Sequence, residues 1–160
     1  MVRKAKISDV RSIHQVLATF AAQGKLLARS LSELYTNLRD IFVFVDEKDG
    51  RIIGCCSLHM IWEDLAEVRS LAVLGSHQGA GVGRRLVEAC IAEAVGLEIP
   101  TLFVLTYETG FFERVGFRPV DKNIFPQKIW ADCIHCPKFP DCDEVAMVME
   151  VRSEKPLKKD

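Results

Sequence analysis

The chain reads as an α/β protein of the α+β kind, a central mixed β-sheet flanked by helices, and three observations predict it. Strand-like and helix-like segments follow one another in the order β-α-α-β-β-β-α-β-α-β, which fits one sheet with helices packed on it. Residues 71–90, LAVLGSHQGAGVGRRLVEAC, run an apolar strand through a glycine-rich turn straight into a helix. Two β-rich runs flank Asp49-Gly50, a turn signal for a hairpin. With 160 residues, 49% of them apolar, the chain has material for one domain with a full core and too little for two ordinary ones.

Residues 2–7 alternate basic and apolar side chains and predict a short strand. Ser8 is a suitable N-cap for a helix whose apolar face is Ile13, Val16, Leu17 and Phe20, and Gly24 ends it. In LLARSLSELYTNL, Ser30 or Ser32 can cap a second short helix containing Leu34 and Leu38. The hairpin IFVFVDEKDGRIIGCCSLHMIW and the strand LAEVRSLAVL follow. The helix after the glycines carries a stripe of Val82, Leu86, Cys90 and Ala94, with Val87 and Ile91 beside it. Pro100 precedes the strand TLFVLTY, and TGFFERVGF predicts a short helix stopped by Gly116. Residues 121–143 form an irregular segment rich in proline and cysteine, EVAMVMEV supplies a last strand, and residues 153–160 read as a solvated tail. One domain over residues 1–152 is the expected organisation.

A formal net charge of −1, with both signs mixed along the chain, excludes a nucleic-acid binder held by bulk charge. No apolar run approaches the ~20 residues that span a bilayer, and MVRKAKISDV lacks the apolar centre of a secretory signal. A cytoplasmic protein with reduced thiols is expected. Cys55, Cys56 and Cys90 sit in apolar segments and suit small buried hydrophobes.

The turn itself reads Gln78-Gly79-Ala80-Gly81-Val82-Gly83-Arg84. Strand, glycine turn and helix together offer free N–H groups and a positive helix end to a phosphate. The bland alternative is a tight strand-to-helix connection. The turn lacks the Gly-Lys-Ser/Thr ending of a nucleoside-triphosphate loop, and no early βαβ unit supports a dinucleotide site.

Gln-x-x-Gly-x-Gly after an apolar strand, followed by helix, strand and FFERVGF, resembles the GNAT N-acetyltransferase superfamily over about residues 2–120. The resemblance implies that residues 79–84 face the pyrophosphate of acetyl-coenzyme A. It also implies that the backbone along Leu71, Ala72 and Val73 pairs with the pantetheine arm like an added strand. Glycine without Cβ lets phosphate oxygens approach the chain, so the chemistry of the turn agrees.

Acetyl transfer needs a neutral amine, and amines with pKa values of roughly 8 to 10 are protonated at neutral pH, so a base is required. Glu67 stands where a catalytic glutamate stands in such enzymes; its bland reading is an ordinary salt-bridged residue. Many relatives protonate the departing thiolate with a tyrosine in F-Y-x-x-x-G-F, but Phe112 occupies that position here. Tyr107, at the end of the preceding strand, is the alternative donor, and water is another.

Three phrases, AAQGKLLARSLSELY, IIGCCSLHMIWEDLAEVRSLAV and LFVLTYETGFFERVGF, resemble the acetyltransferase domain of N-acetylglutamate synthases in its short bacterial form. That resemblance implies acetylation of the α-amino group of L-glutamate, the first step toward arginine. A dicarboxylate calls for cations: Arg29 as a bidentate partner, with Arg69 and Lys128 as further candidates. His59 and Trp62 are candidate pocket residues. Another amino acid or small amine, or a non-catalytic coenzyme A or metal sensor, are the competing readings. Cys133-x-x-Cys136 followed by Cys142, with His135 adjacent, has spacing for zinc or another metal without a second Cys-x-x-Cys; a redox pair or unligated thiols remain open. A small-molecule substrate is the expected partner, and a homodimer is compatible with the sequence.

Overall fold

The structure is a computed structural model and describes residues 1–125 and 143–151. Its elements are β1 (Val2–Lys4), α1 (Val10–Ala22), α2 (Leu31–Thr36), β2 (Ile41–Val45), β3 (Ile52–Trp62), β4 (Leu65–Val73) and α3 (Val82–Gly96), followed by β5 (Thr101–Thr106), α4 (Thr109–Val115), β6 (Arg118–Val120) and β7 (Val145–Glu150). The strands form one sheet in the order β1-β2-β3-β4-β5-β7-β6. It is mixed: β4 and β5 run parallel, whereas β1 with β2, β2 with β3, and β7 with both β5 and β6 run antiparallel. None of the described helices is long and apolar enough to cross a membrane.

The chain divides into two compact units, residues 1–59 with 68–90, and residues 60–67 with the described residues from 91 onward. In the first unit the periodic stripe of α1 does what its spacing predicts. Val10, Ile13, Val16 and Leu17 are buried against Leu34 of α2, Ile41 and Val43 of β2, Cys55 of β3 and Ala72 of β4. Each such aliphatic side chain contributes roughly 1.5–3 kcal/mol on burial.

The start of α1 differs from the expectation. Asp9, not Ser8, organises it: Oδ2 of Asp9 accepts from the Lys6 amide at 2.7 Å and from Arg3 Nη1 at 2.6 Å, closing a 3-10 turn over Ile7–Asp9. A carboxylate is the stronger acceptor and here has a cationic partner, whereas a serine hydroxyl has neither advantage. The Arg3 guanidinium, more than any other group, holds the Asp9 carboxyl below the usual carboxylate range. Ser30 caps α2 as the sequence suggests, its Oγ accepting from the Glu33 amide at 3.1 Å while Glu33 Oε1 accepts from the Ser30 amide at 3.3 Å. Leu38 falls in a separate 3-10 turn, Leu38–Asp40, leading into β2.

The β2–β3 hairpin closes on Asp49-Gly50 as expected, with the Asp46 amide donating to Arg51 O at 2.9 Å. On β3, Gly54 is required by close approach. A Cβ there would lie 3.1 Å from Ala72 O and 3.1 Å from Leu86 Cδ1, so the lack of a side chain lets α3 settle onto the sheet.

In the second unit β5 pairs with β7 from Thr101↔Glu150 to Thr106↔Val145, and Phe103 stacks on Phe125 with centroids 4.8 Å apart. Strand β6 was not among the predicted elements. It has only three residues and contains Pro119, and it pairs with β7 at the sheet's end, where a missing N–H is tolerated.

Burial of Cys55 pushes its thiol up to about 12. Cys56 is also raised, first by the Cys90 thiol 3.7 Å away and then by burial. Neither is a thiolate near pH 8, and the thiolate is the reactive form. Peptide mapping after iodoacetamide treatment of native protein should therefore find residues 55 and 56 unmodified, and modified once the chain is denatured. Rapid native labelling at either would contradict this core.

Candidate active site

Strand β4 carries the change in geometry from which the site is built. Its parallel pairing with β5 covers Leu65↔Thr101, Ala66↔Leu102 and Glu67↔Phe103. Three residues after Glu67, Ser70 adopts φ +57°, in the left-handed region that a non-glycine residue enters at some strain. Glu67 is 9% exposed, and by strand alternation it shares a face of β4 with Arg69.

Beyond Ser70 the backbone is oriented by β3. The Leu74 amide donates to Ile53 O at 2.9 Å. Alternation then turns the backbone groups of Val73, and of Leu71 two residues earlier, away from β3. Gln78 Nε2 donates to Val73 O at 3.0 Å and folds the turn back on the strand end. The turn Gly75–His77 is tied to the hairpin, with His77 Nε2 at 3.2 Å from Asp46 Oδ2 and its Nδ1 at 2.8 Å from Ser76 Oγ.

Gly79 and Gly81 have φ +84° and +80°, and a Cβ at either would meet nothing within 4 Å. Their requirement for glycine is thus conformational, and the space over them is open. Helix α3 begins at Val82, with Gly83 and Arg84 in its first turn, where amides have no intrahelical acceptor. Arg84 Nε donates to Glu88 Oε1 at 2.9 Å along the exposed face. Open amides at the positive end of a 15-residue helix suit an anionic group such as a pyrophosphate.

A separate shallow pocket, open to solvent, lies wholly within the first unit. Its polar lining includes Arg29, Glu33, Asn37, Asp40, Ser57, Arg69 and the left-handed Ser70. The Arg29 side chain is 9% exposed and pairs with Glu33 at 3.4 Å. Asp40 Oδ2 lies 2.7 Å from His59 Nδ1. Arg29, on the segment before α2, and Arg69, on β4, are thereby brought to one pocket. Lys128, Cys133, His135, Cys136 and Cys142 lie outside the described residues. Among the described residues no group of three or more His, Cys, Asp or Glu side chains is placed to hold a metal ion. Trp62 is exposed at the end of β3. Tyr107, just after β5, donates its hydroxyl hydrogen to Asp143 Oδ1 at 2.7 Å.

The sequence pattern of the acetyltransferase (GNAT) family matches residues 10–117, from the start of α1 through the glycine turn to the end of α4. The chain belongs to the GNAT acetyltransferase family. An uncharacterized N-acetyltransferase of Chlorobaculum tepidum is 46% identical over 149 residues, covering 92% of this chain and 94% of its own. The amino-acid acetyltransferase of Mycobacterium tuberculosis is 39% identical over 153 residues, covering 91% of this chain and 86% of its own. Among solved structures, the N-acetylglutamate synthase of Neisseria gonorrhoeae complexed with coenzyme A and N-acetyl-glutamate superposes with a TM-score of 0.84 at 27% identity. That match covers 95% of this chain and 35% of the synthase, so the chain spans about a third of it.

As a GNAT acetyltransferase, the chain departs from the tyrosine-bearing pattern at Phe112. That ring is 3% exposed and makes edge contacts with Phe111 and Phe117, with centroids 5.0 and 5.3 Å away. It is core. Sequence reasoning did not single out Glu33, Asn37, Asp40 or Ser57 as pocket residues. Glu33 was legible as the far half of the capping box begun at Ser30, whereas Ser57 follows from the β2–β3 register, which places it opposite Ile41.

Because Gly81 meets no neighbour but has φ +80°, its replacement tests backbone strain alone. Gly81→Ala should lower the unfolding free energy by about 1 kcal/mol, and Gly81→Asn by less, since asparagine tolerates this conformation better. Denaturant melts of the three proteins check it; an alanine variant as stable as the parent would contradict the left-handed turn.

Proposed function

We propose that this acetyltransferase acetylates the α-amino group of L-glutamate, using acetyl-CoA as donor, the reaction that opens a route to arginine. The observation that carries the reading is the meeting of Arg29 and Arg69 in one pocket of the first unit. The names of the relatives, an amino-acid acetyltransferase and an N-acetylglutamate synthase, point the same way.

In this reading the amides of Gly79, Ala80, Gly81, Val82, Gly83 and Arg84 hold the pyrophosphate, helped by the α3 dipole. The outward backbone groups of Leu71 and Val73 receive the pantetheine arm as an added strand, with Ala72 between them facing β3. Bound acetyl-CoA supplies the activated acetyl thioester. Arg29 and Arg69 take the two carboxylates, with Lys128 as a further cation, and Glu67 is the base for the amino group. The Glu67 carboxylate removes a proton from the ammonium, directly or through a water, leaving nitrogen with a lone pair for the carbonyl carbon. Tyr107 is the candidate donor to the departing thiolate. Its proton is committed to Asp143 in the free enzyme, so that bond must be given up first, and water is the alternative source.

Thiol release from acetyl-CoA, measured with a panel of amines, tests the acceptor. L-Glutamate should outrun L-aspartate, L-glutamine and polyamines; a faster polyamine or glutamine reaction would sink the glutamate assignment and leave acetyl transfer standing. Arg29→Ala should raise KM for glutamate about tenfold or more, the loss of one charge-assisted contact, while KM for acetyl-CoA stays put.

Glu67→Gln should keep acetyl-CoA affinity and lose about 10²-fold in kcat, recovering in part at high pH where more of the amine is already neutral. A glutamine variant as fast as the parent at neutral pH would assign the proton to another acceptor.

A further inference from the structure

Glycine takes backbone conformations of either hand, so a turn with Gly79 at φ +84° and Gly81 at φ +80° does not hold its own shape. Its flanks must do so, and both are fastened to one place, the end of β2 where the hairpin begins. After the turn, Arg85 Cζ lies 5.1 Å from the centre of the Phe44 ring. Phe44 stands opposite Gly54, and Gly54 is where the first turn of α3 settles, through Val82 and Leu86. Before the turn, His77 reaches Asp46, two residues beyond Phe44. Its Nε2 donates to Oδ2 at 3.2 Å, with the two side chains 29% and 19% exposed.

Asp46 is itself fixed. Its amide donates to Arg51 O, its carbonyl accepts from the Gly50 amide, and Oδ1 accepts from the Lys48 amide at 2.9 Å. The Lys48 amide, more than any other group, holds the Asp46 carboxyl below the usual carboxylate range, so the side chain offers only acceptors. His77 must then carry a hydrogen on Nε2. In the neutral ring that leaves Nδ1, 2.8 Å from Ser76 Oγ, to accept from the hydroxyl, which fixes the tautomer.

We propose that His77 is a positioning residue for the coenzyme: bonded to Asp46, it holds the glycine turn in the conformation that receives the pyrophosphate. The inference rests on the acetyl-CoA reading above and deepens it. His77 acts through the turn and exchanges no proton or bond with either substrate. The apparent dissociation constant of a ligand is its intrinsic value divided by the fraction of protein already competent to bind. Loss of the tether lowers that fraction and so acts on coenzyme affinity. Once the coenzyme is bound the turn is ordered in either protein, and the chemical step is unchanged.

Titration calorimetry with coenzyme A and steady-state kinetics test this together. His77→Ala should raise Kd for coenzyme A and KM for acetyl-CoA about fivefold, as a fall of the competent fraction to about one in five requires. Both kcat and KM for the amine should stay within about twofold of the parent. His77→Gln, whose amide can donate from the position of Nε2, should stay near the parent. The partnership is tested in Asp46→Ala, which keeps the backbone bonds that close the hairpin; there His77→Ala should cost less than about a further twofold.

The same loss from His77→Ala in both backgrounds overturns the proposal, as does a fall in kcat with parental affinity. A parent that binds no coenzyme A overturns the acetyl-CoA reading and this inference with it. A parent that binds it, beside a His77→Ala variant that binds it equally tightly, overturns this inference alone.

Discussion

The parallel pairing of β4 with β5 ends at Glu67↔Phe103, although β4 itself continues to Val73. A strand carries one backbone group per residue to alternate sides, and each needs a partner or water. Up to Glu67 both sides of β4 have strand neighbours. After the left-handed Ser70, the chain is held on one side by β3, through Leu74 and Ile53, while Leu71 and Val73 turn their backbone groups to the other. The functional proposals depend on this division. A buried carboxylate stands on the fully paired part of the strand, and on the remainder stand the outward backbone groups of Leu71 and Val73, of which Val73 O already accepts from Gln78 Nε2.

The glycine turn is anchored to that arrangement from two directions. Gln78 returns to Val73 O, and His77 reaches Asp46 on the hairpin, so a turn with two left-handed glycines is still held at both ends. Helix α3 is pressed onto the sheet by the absence of a side chain at Gly54, with Val87, Leu86 and Cys90 fully buried beneath it. The helix end that faces the open glycines is therefore fixed in position before any ligand arrives. Preorganised donors of this sort bind an anion without the ordering penalty that a flexible loop would carry.

Much of this was legible in the sequence, and the exceptions have physical reasons. Periodicity located α1 and α3 because their buried stripes are regular, and the Asp49-Gly50 signal located the hairpin because few residues accept that backbone. The cap at α1 was misassigned: Asp9 acts through Arg3, six residues away, and propensity at a single position does not see the pair. Strand β6 was missed because three residues with a proline carry no alternation; its pairing with β7 is a tertiary fact. Within the candidate site, the glycine turn and the base candidate were visible as motif and position. Asp40 and Ser57 were not, because only strand register brings a 3-10 turn and the middle of a long strand to one pocket.

The central claim is that coenzyme A lies along the outward backbone of β4 and over the glycine turn. Hydrogen exchange of individual amides, followed by NMR with and without coenzyme A, tests it most directly. Slowed exchange at Leu71 or Val73, together with Gly79, Gly81 and Gly83, is the predicted result, while amides of α1 and β2 keep their rates. Tight binding with no change at those positions, or with protection confined to another part of the chain, would contradict the account.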